Sequence, residues 1–193
     1  MLDRDEDAVL ALINTDRLPG QPVCTPGMLA EALAGRSSVD AAWWDELDGI
    51  SVEVAHDPAG TVVGVVSYAV RPRDGAGLVL WLHGREDPTV IGFLLDRAPG
   101  RLGDLPVTDA FDFATALGLG LEALPVRHRA ATRAALEHRG FSGRELWRYL
   151  HRWLPAPDLP RAVGVHLGAA GGAKRCLQLR TTRATGDRQQ ADR

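Results

Sequence analysis

Three runs of β-branched and aromatic residues, set apart by two turn sequences, constrain this chain more than any other feature. Val52–His56, Thr61–Val70 and Leu78–His83 each read as a strand. Between the first two, Asp57-Pro-Ala-Gly60 puts proline and glycine where a type I turn wants them, and Arg71–Gly77 forms a second turn. Connections this short favour antiparallel neighbours, so residues 52–83 are expected to form a three-stranded meander. Gly84-Arg85-Glu86 then leads into a helix. Asp87 is a natural N-cap, Pro88 a natural first residue, and Val90, Ile91, Leu94 and Leu95 form the apolar face. Pro99-Gly100 is expected to stop this helix.

Helical patterns flank the meander. Val9, Leu10, Leu12 and Ile13 mark a first helix with acids at its start. Thr25-Pro26 reads as the cap and first residue of a second, with Met28, Leu29, Ala32 and Leu33 as its stripe and Gly35 at its end. Downstream, Asp109–Phe113 is a short strand, Arg127–Arg139 a helix ended by Gly140, and residues 145–153 a closing strand. Strands of a meander feeding strand–helix–strand crossovers predict an α/β sheet covered on both faces. One domain is expected over residues 1–154, a proline-rich linker over 155–160, and a disordered tail over 161–193.

The chain has 193 residues, 45% apolar and 24% charged, which suits one soluble globular domain. It has no membrane-length apolar run, and its acidic start differs from a basic signal peptide, so a cytoplasmic protein without membrane contact is expected. Cys24 and Cys176 lie far apart with no ligand cluster, arguing for free thiols over a disulfide or zinc. Residues 127–153 carry 7 arginines against 2 glutamates. Such a segment suits an anion such as a nucleotide diphosphate. No aromatic interleaving supports nucleic acid, which is not expected as a partner.

The helix entering a Gly-Phe pair in Ala134-Ala-Leu-Glu-His-Arg-Gly-Phe141, the strand Trp147-Arg-Tyr-Leu-His-Arg152, and the strand–loop–helix from Leu78 to Leu95 together resemble the GNAT superfamily of N-acetyltransferases. The resemblance implies a GNAT fold: an α/β structure whose mixed, mostly antiparallel, splayed sheet carries helices on both faces. It implies metal-free acetyl transfer from acetyl-coenzyme A to a primary amine, of a small molecule or a peptide. The backbone of Trp81, Leu82 and His83 would hold the pantetheine as if it were another strand. Gly84, Arg85, Asp87, Thr89 and Val90 would face the pyrophosphate, using free amides at a helix N-terminus.

Two side chains are candidates for the proton acceptor. His83 ends a strand beside the loop and titrates near neutrality, although a strand-end histidine bonded to backbone fits as well. Asp112 would face the cleft, or else solvent between Phe111 and Phe113. His128 lies among arginines at a helix start. Trp43-Trp44 offers either a core indole or a stacking platform.

The sequence also departs from the family's pattern. Enzymes of the family carry Gln/Arg-x-x-Gly-x-Gly/Ala at the phosphate loop. Arg85 stands for the leading residue, but Pro88 and Val90 replace the glycines, Pro88 lacks an amide, and Glu86 and Asp87 add negative charge. Leu136 stands where active members often carry a tyrosine acid. The alternative to an acetyltransferase is therefore a catalytically degenerate domain, similar to the N-terminal half of tandem-GNAT proteins. It would act as the structural or substrate-recognition partner of an active domain. A homodimer formed through the closing strand stays open.

Overall fold

The valine-rich middle of the chain forms the expected meander. In a computed structural model, which describes residues 4–37, 40–102, 105–112, 114–115, 117, 124–143 and 181–184 (the side chains of 99–101 and 181–184 excepted), strands β1 (Asp48–His56), β2 (Val62–Arg71) and β3 (Ala76–His83) pair antiparallel in sequence order. The first turn closes on Asp57, whose carboxylate accepts from the amides of Ala59 (2.9 Å) and Thr61 (2.8 Å). Gly60 there takes a φ of 82°, which a side chain would resist. β4 (Val107–Ala110) runs parallel to β3, and β5 (Thr181–Ala184) antiparallel to β4. The sheet is thus mixed and mostly antiparallel, in the order β1-β2-β3-β4-β5.

Helices α1 (Glu6–Thr15), α2 (Pro26–Leu33) and α3 (Ala41–Trp44) precede the sheet; α4 (Pro88–Leu102) and α5 (Ala130–His138) follow β3 and β4. On one face, Val9, Leu12 and Ile13 of α1 and Leu29 of α2 pack with Val65, Ala69, Leu78 and Trp81. On the other, Ile91, Leu94 and Leu95 of α4 and Leu136 of α5 pack with Val66, Tyr68, Val79 and Leu82. Helices therefore cover both faces, the α/β architecture that the resemblance implies. Burial from both sides explains why β2 and β3 read as continuous apolar runs and not as alternating ones.

Local signals hold at several element ends. Thr25 Oγ1 accepts from the Met28 amide (3.3 Å) and Pro26 opens α2. Gly140, at φ 82°, turns the chain out of α5. The Phe141 amide returns to Leu136 O (3.1 Å), and its ring is buried against the same leucine's cluster.

Other expectations are corrected. Pro99-Gly100 does not stop α4, which runs on to Leu102. A proline forfeits one helical hydrogen bond, but Leu102 still packs against the α4-side core, over Gly77. The second long helix starts at Ala130, because Arg127 and His128 lie in a turn closed by bonds from the His128 and Arg129 amides to Pro125 O. The last short strand ends at Ala110, before Phe111 and Asp112. Thr181–Ala184, in the segment read as a tail, pairs with β4, whose open edge accepts a β-branched strand. The linker and the closing strand at 145–153 lie outside the described residues.

Candidate functional site

β3 and β4 separate after Val79. Their pairing ends at Val79 and Ala110, with the Phe111 amide donating to Val79 O (2.9 Å). Phe111 then takes a φ of 58° and turns the chain away, while β3 continues to His83. A register shift on β3 sets Ser67 opposite Trp81 but Tyr68 opposite Val79, leaving Leu80 as a bulge. A cleft of about 90 Å³ opens beside the free end of β3, lined by Ile13, Asp16, Trp81, His83, Phe111 and Arg129 among others. This splay is the feature that the resemblance assigns to a pantetheine arm.

The backbone groups around the splay are already engaged. The Leu82 carbonyl accepts from Arg129 Nη2 (2.7 Å). The Gly84 and Arg85 amides donate to Asp16 Oδ2 at 3.0 and 3.2 Å. The Thr89 and Val90 amides donate to Asp87 Oδ1 at 2.8 and 3.2 Å, capping α4. Four of the amides that would face a diphosphate are thus bound to carboxylates of the chain itself.

Asp16 is the central side chain of this arrangement. It is 3% exposed, and its Oδ2 also lies 3.4 Å from His83 Nδ1. Burial alone would raise its pKa. The contact with the His83 ring, the Arg129 charge and the Gly84 amide outweigh burial and hold the carboxyl below its ordinary value. Burial pushes the His83 imidazole down, and the opposing pull of Asp16 does not restore it, so the ring is neutral at physiological pH. Asp16 follows the last residue of α1, where the helix dipole disfavours an acid.

Glu86 makes a second closure. It sits at φ 52°, next to Arg85 at φ 53°, a left-handed pair without glycine. Its carboxylate accepts from Arg129 Nε (2.6 Å), Thr132 Oγ1 (2.5 Å) and the amides of Ala131 (2.8 Å) and Thr132 (3.1 Å). It therefore caps α5, ties the loop to that helix and holds Arg129 over Leu82. Burial opposes ionisation, but the Thr132 and Arg129 bonds win and lower its pKa.

The structure brings Trp81, Leu82 and His83 to the cleft and leaves Arg85, Asp87 and Thr89 exposed at its loop. It does not bring Asp112 to the cleft lining. That side chain is buried, neither cleft-facing nor solvent-facing, and bonds Arg71 Nη1 (3.1 Å) beside the Arg71–Asp109 pair (3.3 Å). Of the tryptophans, Trp44 is buried and donates to Ala114 O (3.1 Å), while Trp43 carries Arg73 over its ring at 5.2 Å. Neither lines the cleft. His128 is exposed. Leu136 is a core residue. Among the described residues, no group of three or more His, Cys, Asp or Glu side chains is placed to hold a metal ion. The sequence reading missed Asp16, whose place after α1 was the available signal, and missed Glu86 as a cap.

No protein-family model matches this chain. No curated protein matches it either. Among solved structures, one described as a "putative phosphinothricin N-acetyltransferase" is similar at 21% identity, over 73% of this chain and 78% of that one, with a TM-score of 0.45.

Proposed function

We propose that this chain is a GNAT-like domain whose acetyl-coenzyme A site is closed by its own carboxylates. It would serve as the structural or substrate-recognition partner of an active domain. The observation that carries this reading is the buried Asp16 carboxylate seated on the Gly84 and Arg85 amides. A diphosphate would have to displace an anion that four neighbours already stabilise, and would then meet Asp87 and Glu86 on the same loop. Pro88 removes one further donor, and losing a donor to an anion costs about 1.5–3 kcal/mol, or roughly ten- to a hundredfold in affinity. The groove beside β3 is obstructed as well, since Arg129 holds the Leu82 carbonyl that an extended ligand would pair with. Leu136, buried in the core, offers no proton to a departing thiolate.

Calorimetry of the full chain with acetyl-coenzyme A, beside a free-thiol assay over a panel of amines, tests this reading. No binding at micromolar ligand and no amine-dependent thiol release are expected. A micromolar dissociation constant with amine-dependent release would make the chain an N-acetyltransferase and His83 its candidate base.

A further inference from the structure

Two polar atoms are sealed inside the core under α1 and make no hydrogen bond among the described residues: Ser67 Oγ and Trp81 Nε1. Ser67 is 0% exposed and Trp81 3%. The two are neighbours. Ser67 on β2 stands directly opposite Trp81 on β3, a pairing that sets Cβ atoms about 5 Å apart. They also share a face. Val65 and Ala69, two residues to either side of Ser67, belong with Trp81 to the core under α1, and side chains two apart on a strand point the same way. The bulge at Leu80 falls beside this pair, and a bulge re-aims the side chains next to it. A buried hydroxyl and a buried indole N–H are both costly to leave unbonded.

We propose that Ser67 and Trp81 hold one internal water molecule between them, as a fixed part of the fold under α1. The chemistry of the two ends selects water. An indole N–H only donates, and a serine hydroxyl both donates and accepts. Water accepts from Trp81 Nε1 and donates to Ser67 Oγ. A metal ion has nothing to offer an N–H. An anion would be stripped of its hydration among Leu12, Val65, Ala69 and Leu80, at a cost that two neutral donors do not offset. Size agrees as well. Two bonds of about 2.9 Å each let one water join atoms up to about 5.8 Å apart, which suits side chains rooted about 5 Å apart. Internal waters commonly serve buried polar atoms that the chain itself leaves unpaired. The water also makes Ser67 a positioning residue for Trp81. Trp81 lines the cleft, yet its N–H is sealed from solvent. Held inward by the water, the indole presents an apolar wall there. The inference stands whether or not the cleft takes acetyl-coenzyme A.

A high-resolution crystal structure of the full chain tests the proposal directly. It should show a single ordered water within hydrogen-bond distance of both Ser67 Oγ and Trp81 Nε1. Thermal unfolding tests it by sign. If the hydroxyl bonds a water, Ser67→Ala should lower Tm by about 2–4 °C, the loss of one hydrogen bond in a chain of this size. If the hydroxyl bonds nothing, the same variant removes an unsatisfied group and Tm should rise. Ser67→Ala and Trp81→Phe should also couple in a double-mutant cycle, because both side chains serve the same water. Density that joins Ser67 Oγ directly to Trp81 Nε1, or that leaves no water between them, overturns the proposal. So does a Tm that holds or rises in Ser67→Ala, or a cycle in which the two losses simply add. If either variant does not fold, the crystal structure of the unaltered chain decides alone.

Discussion

Asp16 holds two amides and sits beside an imidazole from the C-terminal cap of α1, a place that its charge disfavours, so its worth to the fold depends on being ionised. Asp16 and Glu86 have native pKa values below their ordinary 3.8 and 4.5, and His83 lies below its ordinary 6.5. For each, the unfolded chain binds protons more readily than the native one. Each contribution is therefore complete above the unfolded value and lost as the pH falls through the native value. Urea midpoints should be steady above pH 6.5, decline first through His83, and decline again below 4.5 through the carboxylates. A midpoint that rises on acidification would contradict this assignment. Arg129 gives a second residue-scale expectation. Arg129→Met strips donors from Glu86 and from the buried Leu82 carbonyl, which should cost about 1–3 kcal/mol in thermal or urea unfolding.

The contact between β2 and α4 rests on what Gly64 lacks. A Cβ there would lie 2.6 Å from Val90 Cγ1 and 2.8 Å from Leu94 Cδ1. Gly64→Ala should destabilise by about 1–3 kcal/mol through overpacking. Val90→Ala in the same chain should recover part of that loss, which a double-mutant cycle would measure as coupling. At the start of α2, Thr25→Ala removes the bond to Met28 and should cost about 1 kcal/mol in denaturant unfolding. Elements such as these were legible in the sequence because their causes are local: a threonine before a proline, a Gly-Phe pair after a helix, turns between valine runs. The continuation of α4 through Pro99 was not legible, since packing downstream overrode a local stop signal. Nor was α3, four residues long. The strand, loop and helix that carry Trp81 to Val90 were legible, but not the bonds made within them. Trp81 to Val90 could be located from their order, yet the bonds that close the loop join Asp16 to Gly84 and Glu86 to Thr132, across 68 and 46 residues. Single-sequence patterns carry no trace of such pairings.

The whole molecule is organised around a sheet that two separate cores share. Removing residues 181–193 would take away β5 and leave β4 with an open edge. Such an edge recruits other strands, so the shortened chain should unfold at lower temperature and self-associate in analytical ultracentrifugation; an unchanged monomer would argue that β5 contributes little. β2 has a different status. Val65 and Ala69 belong to the core under α1, and Val66 and Tyr68 to the core under α4. A breath that lifts α1 away leaves β2 clamped from behind, and one that lifts α4 leaves it clamped from the front. Amide protons of β2 should therefore exchange with solvent deuterium only when the entire molecule opens, at a rate that follows global stability as urea is added. Those of Ala59 and Gly60 in the first turn, both exposed, should exchange through small local openings that urea barely alters. The strand that binds the two halves together is also the slowest clock in the protein.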